Sequence, residues 1–288
     1  MNLQPSHLAE WLRAGEDGLL SVVIPAYNEE AHLPATLAGL VQALDGAGIR
    51  HEILVIDDSS DDGTAQVLSE LERHYPTLRH VANPYPHGFG FAVRWGLELF
   101  RGDAVAIVMA DGSDSPADLV AFARKLAEGY DCVFGSRFVR GGRTIDYPLP
   151  KLLLNRFANS VIQALFLIRY NDVTNAFKLY KREVIAGLQP LLSHHFNLTV
   201  ELPLKAIVRG YSYAVLPNAW TNRKQGISKF RIREMGSRYL FVVLYCLIER
   251  MLSRGDYRRR TMVSPTTAAI ATGERVGRVK EPEERPAP

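Results

Sequence analysis

LSVVIPAYNEE, residues 20–30, starts as an apolar, β-branched run and ends in polar and charged residues. Two later stretches repeat this arrangement, HEILVIDDSSDDGT at 51–64 and AVAIVMADGSDSP at 104–116. Amphipathic helical spacing follows each of them. Continuous apolar strands that alternate with amphipathic helices are typical of βαβ units, so we predict an α/β fold with a mostly parallel central sheet flanked by helices.

The same pattern predicts most of the elements and divides the chain into four parts. Predicted strands lie at 20–25, 51–57, 78–82, 104–110 and 131–135, with one or two more within 211–219. Predicted helices lie at 30–44, 61–74, 90–100, 116–128, 151–168, 197–209 and 230–252, and a loop is predicted at 139–150. We expect an N-terminal extension at 1–18, an α/β domain at 19–229, an amphipathic helix at 230–253 and a disordered tail at 254–288.

Composition excludes several classes of protein. The chain has 288 residues, of which 47% are hydrophobic and 23% charged, with only two cysteines. These values exclude a disordered chain and a disulfide scaffold. The net charge of +3 hides a basic segment at 221–260, where eleven Lys or Arg stand against three acids. Such a segment suits nucleic acid, anionic lipid or a phosphorylated ligand, and charge alone does not choose among them.

The C-terminal helix has the composition of an interfacial helix. The apolar run at 239–252 extends roughly 21 Å, which is shorter than the roughly 30 Å hydrocarbon core of a bilayer. Basic residues at both ends of this run favour a helix that lies among anionic headgroups. A core or dimer helix with solvated basic ends is the alternative. Residues 1–18 lack the apolar stretch of a signal peptide, so we expect a cytoplasmic protein.

Polar and charged segments follow four of the predicted strands. In an open parallel sheet the ligand lies beyond the carboxyl ends of the strands, so these segments are the candidates for a binding site. Each one alone is equally compatible with a turn and a helix N-cap. Recurrence at one sheet edge favours a site, because gathered carboxylates need a cation or a ligand rich in donors.

Eight segments between about Leu20 and Leu252 carry a resemblance to a known family. They are VVIPAYNEE (22–30), VIDDSSDDGT (55–64), GFGFAVRWG (88–96), VMADGSDSP (108–116), FGSR (134–137), DVTNAFKLYKR (172–182), VELPLKAIVRGY (200–211) and NRKQGISKFRI (222–232). In this order they resemble the family 2 glycosyltransferases with the GT-A fold, most closely the branch of dolichol-phosphate mannosyltransferase and other polyprenyl-phosphate sugar transferases. The resemblance implies that 19–229 is the GT-A catalytic domain.

The resemblance also implies a nucleotide pocket. It implies that Pro25, Tyr27 and Glu29 line this pocket, that Asp58 holds the base or the ribose, and that Gly88 helps to shape the donor site. The residue chemistry agrees, because a carboxylate accepts hydrogen bonds from a base imide or a ribose hydroxyl and a tyrosine ring offers a stacking face. Close packing of a helix against the sheet is the expected role of the neighbouring Gly90.

A metal site is implied at the end of the fourth strand. Members of the family bind Mg²⁺ or Mn²⁺ there through a D-x-D motif, and the ion bridges the donor diphosphate. This chain departs from the motif, because Asp111 and Asp114 are three positions apart. Both remain candidates, since one or two carboxylates suffice for an ion that also keeps waters and phosphate oxygens.

Cationic residues are implied to contact donor or acceptor phosphates. They are Arg137 of FGSR and, in the basic loop, Arg223, Ser228 and Lys229. Arginine forks onto two phosphate oxygens, whereas lysine acts as a point charge. A solvated basic loop is the alternative.

The candidates for a general base are Asp172 and Glu201, and their role depends on the acceptor. An alcohol acceptor needs a carboxylate base, whereas a phosphate attacks as an anion without one. The alternatives are a turn or cap for Asp172 and a partly exposed helix position for Glu201.

The resemblance therefore implies an inverting, metal-dependent enzyme. It moves mannose or glucose from a GDP- or UDP-linked sugar to a polyprenyl phosphate at the cytoplasmic membrane face, which it contacts peripherally, directly or through a membrane partner protein. The alternative is a glycan hydroxyl acceptor. A non-catalytic nucleotide-sugar-binding protein is a third hypothesis. We predict no nucleic-acid partner, because the basic segment lacks interleaved exposed aromatics.

Overall fold

The computed structural model describes residues 18–221 and 232–258, in which nine strands and eight helices are found. The strands are β1 (Leu20–Ala26), β2 (His51–Asp57), β3 (Leu78–Ala82), β4 (Ala104–Ile107), β5 (Cys132–Ser136), β6 (Arg143–Ile145), β7 (Lys178–Lys181), β8 (Tyr213–Pro217) and β9 (Ala219–Thr221). The helices are α1 (Leu33–Gly46), α2 (Thr64–His74), α3 (Phe89–Leu99), α4 (Pro116–Ala127), α5 (Leu149–Phe166), α6 (Arg182–Gly187), α7 (Leu198–Val208) and α8 (Ile232–Leu252).

Seven strands form the central sheet, in the order β3-β2-β1-β4-β7-β5-β8. All neighbours in this sheet are parallel except at β7, which runs antiparallel to both β4 and β5. A separate two-stranded sheet pairs β6 with β9. The predicted α/β fold with a mostly parallel, helix-flanked sheet is therefore confirmed.

Alternate residues of the buried strands supply two apolar layers. Val22 and Ile24 of β1 pack on one face of the sheet with α1, α2 and α4. Val23 packs on the other face with α3, α5, α7 and α8. Strands covered on both faces need apolar residues at every position, which explains the continuous apolar runs in the sequence.

Several predicted boundaries and one predicted loop were wrong. The predicted helices at 30–44 and 61–74 begin three residues later, after turns in which Asn28 and Ser59 have positive φ angles of 56° and 64°. The predicted loop at 139–150 contains β6 and the start of α5. Strand β7 was not predicted, because four residues are too short to show a period.

Strand β7 brings an additional loop to the edge of the sheet at which the parallel strands end. Its first residue, Lys178, lies opposite Ile107 of β4 and Phe134 of β5. An antiparallel strand starts where its parallel neighbours end, so the loop 172–177 meets the segments that follow β4 and β5.

A buried ion pair attaches α8 to the core. Arg209, just after α7, donates through Nε and Nη2 to both carboxylate oxygens of Glu249, at 2.8 and 2.9 Å. Both side chains are buried. Within 18–221 and 232–258, no helix has the combined length and apolarity needed to cross a bilayer.

Removing one partner of this pair should cost far more stability than breaking an exposed pair. Glu249→Ala leaves the Arg209 charge buried and uncompensated, which we expect to lower the free energy of unfolding by about 3–5 kcal/mol. Glu128→Ala, which breaks the solvent-facing pair with Lys125, should cost less than about 1 kcal/mol. Urea titration followed by circular dichroism measures both, and equal losses would contradict the assignment.

Candidate active site

The loops after β1 and β2 are bonded to each other. The Asp61 amide donates to Oδ1 of Asn28 at 2.9 Å, and the Asn28 amide nitrogen Nδ2 donates back to the Asp61 carboxylate. The Gly63 amide donates to the Glu30 carboxylate at 2.7 Å. Nearby, the Glu29 amide donates to the Thr64 hydroxyl at 2.9 Å. The acidic residues of these two loops therefore hold one rigid corner of the sheet edge.

Asp58 is buried at this corner and holds the loop after β3. Its carboxylate accepts from Nδ2 of Asn83 at 2.6 Å and from the Gly88 amide at 2.9 Å. The His87 ring nitrogen Nδ1 lies 2.9 Å from the same carboxylate. Burial raises the pKa of Asp58, although the bond from Asn83 and the charge of His87 oppose that rise. Contact with a base or ribose stays a prediction for Asp58, as does nucleotide contact for Gly88.

An aromatic wall stands beside Asp58. The rings of Tyr27 and His87 lie 4.1 Å apart at an interplanar angle of 44°. Pro25 is buried within β1, two residues before Tyr27 in the sequence. Glu29 lies two residues after Tyr27, and its carboxylate is 2.9 Å from Nδ1 of His32. No sequence motif singles out His87, which lies just outside the segments that carry the family resemblance.

Gly90 permits close packing at the start of α3, but its neighbour is the segment before α7 and not the sheet, so the predicted partner was wrong. A Cβ atom on this residue would lie 2.3 Å from the backbone carbonyl carbon of His194. Phe91 stacks on the His194 ring with centroids 4.4 Å apart. The first turn of α3 is thereby fixed against the segment that precedes α7.

Two carboxylates form a second corner, after β4. Asp111 is partly buried and accepts from the Ser113 amide at 3.1 Å. Asp114 is 7% exposed and accepts from the Met109 amide at 3.1 Å. Burial, together with the negative charge of Asp111, raises the pKa of Asp114 to about 7 against the opposing effect of the Met109 bond.

This corner fits a divalent cation that also has other ligands. A buried carboxyl whose ionised form is disfavoured by burial and by a neighbouring carboxylate is stabilised by a bound cation. In the part of the chain that the structure describes, no cluster of three or more acidic, histidine or cysteine ligands is found. Two carboxylates still match the needs of Mg²⁺ or Mn²⁺ when phosphate oxygens and waters complete the shell.

Arg137 and Asp172 form a buried, forked ion pair. Nε and Nη2 of Arg137 donate to the two carboxylate oxygens at 2.8 and 2.7 Å, and the Arg137 amide adds a third bond at 3.0 Å. Burial opposes the arginine charge, but the bonds to Asp172 outweigh burial and raise the pKa of Arg137. The predicted alternative for Asp172 was a turn or cap. The Asp172 carboxylate does more than that, because it holds Arg137 at the end of β5. Phosphate contact by Arg137 and base chemistry by Asp172 stay predictions.

Lys178 lies next to this pair, and it was not among the site residues predicted from the sequence. Its Nζ donates to the carbonyls of Val173 and Thr199, both at 3.1 Å, and to that of Asn175. Burial lowers the pKa of Lys178 to about 7, against the attraction of Asp172. Its position at the start of an unpredicted strand left no signal in the sequence.

Glu201 is occupied by structural bonds. It is fully buried and accepts from the amides of Leu192 and Ser193, each at 2.7 Å, and from Nζ of Lys205 at 2.6 Å. The partly exposed position expected as an alternative was therefore wrong. These bonds hold the loop before α7, and a role for Glu201 as a base stays a prediction.

Strand β9 leads the chain past the two carboxylates. Trp220 forms a β-bridge with Asp114, and the Thr221 amide donates to the Ser113 carbonyl at 3.3 Å. The described residues stop here and resume at 232. The candidates Arg223, Ser228 and Lys229 therefore lie outside the described residues, and their roles stay predictions.

Aromatic rings surround the guanidinium of Arg137. Its Cζ lies 5.6 Å from the ring centroid of Tyr147 and 5.9 Å from that of Trp220. The two rings meet edge to face, 5.0 Å apart. Cation–π contacts of this kind add to the stability of the buried cation.

Comparisons with known proteins agree with this architecture. The model of the family "Glycosyl transferase family 2" matches residues 21–188. A polyprenol monophosphomannose synthase from Mycolicibacterium smegmatis is 33% identical, over 75% of this chain and 86% of the relative. A dolichol-phosphate mannosyltransferase from Pyrococcus furiosus is 30% identical, over 74% of this chain and 59% of the relative.

Solved structures support the fold. A glucosyl-3-phosphoglycerate synthase from Mycobacterium tuberculosis, crystallised with Mn²⁺, UDP-glucose and phosphoglyceric acid, superposes with a TM-score of 0.61. It is 19% identical, and the match covers 87% of this chain and 84% of that one. A likeness at this identity concerns the fold, and the predicted GT-A fold is confirmed.

The family model covers more than half of the chain, and both relatives match about three quarters of it. The predicted family is confirmed, and the protein is an enzyme that transfers sugars. The chain belongs to glycosyltransferase family 2.

Proposed function

We propose that the protein transfers a hexose, with inversion, from a nucleotide sugar to a polyprenyl phosphate at the cytoplasmic face of a membrane. The observation that carries this proposal is the meeting of two corners at one sheet edge. One corner holds Tyr27 and Asp58, and the other holds Asp111 and Asp114. A nucleotide sugar carries its diphosphate between the nucleoside at one end and the hexose at the other, so its nucleoside and its diphosphate suit two such corners.

The sheet sets the spacing of the two corners. Strands β2 and β4 both pair with β1, so the two strands lie two strand spacings, about 10 Å, apart. We assign the base and ribose to the Tyr27–Asp58 corner, where an aromatic ring suits stacking and the Asp58 carboxylate holds the segment of His87 and Gly88 in place. We assign the diphosphate to the corner of Asp111 and Asp114.

Asp111 and Asp114 would hold Mg²⁺ or Mn²⁺. When bound, such an ion neutralises negative charge on the leaving diphosphate. Mn²⁺ is present in the similar M. tuberculosis structure, which supports divalent metal use. The residues of this chain contribute positive potential as well, from Arg137 and Lys178 near Asp114.

The acceptor phosphate is assigned to Arg223, Ser228 and Lys229 of the basic loop. The described chain reaches Thr221 within hydrogen-bonding distance of Ser113, so this loop leaves from beside the carboxylates. A phosphate monoester is already an anion near neutral pH and attacks without a general base. The internal bonds of Asp172 and Glu201 agree with a reaction that needs neither as a base.

The names of the two relatives support a polyprenyl-type lipid phosphate as the acceptor and mannose as the transferred sugar. One is named for polyprenol monophosphomannose and the other for dolichol phosphate and mannose. We therefore favour a polyprenyl phosphate over a glycan hydroxyl as acceptor, and mannose over glucose as the sugar. Peripheral membrane contact, directly or through a membrane partner protein, follows from a lipid acceptor.

A partition assay tests the acceptor. Radiolabelled GDP- and UDP-linked hexoses are incubated with the protein, Mn²⁺ and a detergent-solubilised polyprenyl phosphate, and the label is followed into the organic phase. We expect lipid-soluble label from one donor. Label that appears only in a water-soluble glycan would show that the acceptor is a glycan hydroxyl and not the lipid phosphate.

Two lysines of the basic loop give a matched comparison. Lys229→Ala should lower transfer to the lipid phosphate by about 100-fold, because a charge that stabilises phosphate is lost from the site. Lys224→Ala removes the same charge from the same loop and should keep transfer within about threefold of wild type. Equal losses in both variants would show that the loop acts only through its overall positive charge and that Lys229 has no specific role.

Metal binding is tested by thermal shift with Mn²⁺ and a nucleoside diphosphate together. Saturating ligands should raise the Tm of the wild type by about 5 °C or more. Asp111→Asn should lose most of this shift because it removes a proposed ligand. Asp45→Asn, at an exposed position of α1, is the control and should keep the shift. An undiminished shift in Asp111→Asn would exclude this residue as a ligand.

A further inference from the structure

The carboxylate of Asp58 is largely occupied by the loop that follows β3. The Asn83 side chain donates to its Oδ1 at 2.6 Å, and the Gly88 amide donates to its Oδ2 at 2.9 Å. Nδ1 of His87 lies 2.9 Å from the same Oδ2. A carboxylate offers about four lone pairs, and these contacts take most of them. The Asp58 side chain is only 4% exposed, so a nucleoside has little access to it.

His87 is the exposed member of this cluster. Its side chain is 51% exposed, and its ring packs against the half-buried ring of Tyr27 with the centroids 4.1 Å apart. Tyr27 directly follows β1 and Asp58 directly follows β2, so His87 lies at the edge where the parallel strands end. A planar group that stacks on Tyr27 at this edge therefore comes within reach of the His87 ring.

The contacts of Nδ1 determine which nitrogen of the His87 ring carries the proton. Nδ1 lies 2.9 Å from the Asp58 carboxylate and 3.0 Å from the Asp58 carbonyl oxygen. A carboxylate and a carbonyl can only accept hydrogen bonds, so Nδ1 is the donor. In the neutral ring Nε2 then carries a lone pair and is an acceptor. Among the residues that the structure describes, none bonds to this Nε2.

The loop that carries His87 is held in place by its own hydrogen bonds. The Asn83 amide donates to the Asp57 carbonyl at 2.8 Å, and the Tyr85 amide donates to Oδ1 of Asn83 at 3.1 Å. Pro84 and Pro86, on either side of Tyr85, restrict the backbone further. A binding group that is fixed before the ligand arrives loses little entropy when the ligand binds. The His87 ring is therefore preorganised for contact with a ligand.

A nucleoside offers donors that match an oriented acceptor of this kind. Guanine and uracil each carry a ring N–H next to a carbonyl group, and ribose carries hydroxyl groups. Either donor can bond to the lone pair of a neutral imidazole nitrogen. Sites that recognise a ligand N–H or O–H in this way discriminate strongly against analogues that lack it.

We propose that His87 binds the nucleoside of the donor, with its Nε2 accepting a hydrogen bond from a base N–H or a ribose hydroxyl. Asp58 is then a positioning residue, because it orients the His87 ring through Nδ1. The family resemblance implied that Asp58 itself holds the base or the ribose, and this contact falls to His87 instead. The inference rests on the proposed function, since it concerns the sugar nucleotide of the same site.

Two conservative substitutions separate contact with the ligand from support of the loop. His87→Asn keeps a side-chain N–H within reach of Asp58 and removes Nε2, whereas His87→Gln keeps an acceptor near the position of Nε2 and loses the bond to Asp58. Isothermal titration calorimetry of the full chain with Mn²⁺ and either GDP or UDP measures the affinity. We expect His87→Asn to weaken the preferred nucleotide about tenfold and His87→Gln to recover part of this loss. A residue that only supports the loop would give the reverse order.

Modified nucleotides identify the donor that meets Nε2. GDP methylated at base N1 and UDP methylated at base N3 lack the ring N–H, and the 2′-deoxy and 3′-deoxy nucleotides each lack one hydroxyl. Removing the group that contacts Nε2 should weaken binding to the wild type about tenfold. The same change should weaken binding to His87→Asn less than about twofold, because its partner is already absent. An effect of methylation marks contact with the base, and an effect of a missing hydroxyl marks contact with the ribose.

A second histidine and a second method control these measurements. His74 is exposed at the end of α2, and its ring contacts Tyr75 with the centroids 4.9 Å apart. His74→Asn should keep nucleotide affinity within about twofold of the wild type, and circular dichroism confirms that each variant is folded. NMR of the wild type with ¹⁵N-labelled histidine needs no binding variant. We expect the His87 signals to show the proton on Nδ1 and to shift at Nε2 when the nucleotide is added.

Two results would overturn the role of His87. One is a His87→Asn variant that binds GDP and UDP as tightly as the wild type does. The other is a set of modified nucleotides that are weakened equally in the wild type and in His87→Asn. Either result, obtained with a wild type that binds a nucleoside diphosphate, rejects only this inference. A wild type that binds neither nucleotide rejects the proposed function, and the role of His87 with it.

Discussion

The buried ion pair between Arg137 and Asp172 holds together the sheet edge that carries the candidate active site. Moving both charges out of water is costly, and three hydrogen bonds with forked geometry offset that cost. The pair joins the end of β5 to the loop before β7, two segments that lie 35 residues apart. That loop is also bonded to α5 and to Lys178, so the pair connects the sheet edge to this helix.

Charges of opposite sign are concentrated around this pair. Burial raises the pKa of Asp114 and lowers that of Lys178, each to about 7, and the charge of Asp114 opposes the lowering at Lys178. Groups pushed in opposite directions by their surroundings are typical of sites that bind charged substrates. A carboxylate corner that could hold a cation, near the buried Arg137 guanidinium, suits the proposed reaction, in which a diphosphate leaves and a phosphate attacks.

The sequence was sufficient to predict those strands and helices in which apolar residues follow a regular pattern over many positions. Strands β2 and β3 were predicted with their observed bounds, and the continuous apolar runs of β1 and β2 gave the parallel sheet. Helix starts were missed where positive-φ turns delay them, and β7 was missed because it is short. The partners of Asp172 and Glu201 depend on tertiary contacts, Asp172 being paired with a residue distant in the chain. For the same reason Lys178 and His87 gave no signal before the fold was known.

The central claim is that Asp111 and Asp114 share one cation with the diphosphate of a sugar nucleotide bound across the sheet edge. The most direct measurement is anomalous X-ray scattering from crystals soaked with Mn²⁺ and a nucleoside diphosphate. We predict one strong peak in contact with a carboxylate of this corner and with the diphosphate, and the base beside Tyr27. A diphosphate bound without an ion near Asp111 or Asp114, or an ion remote from both, would contradict the account.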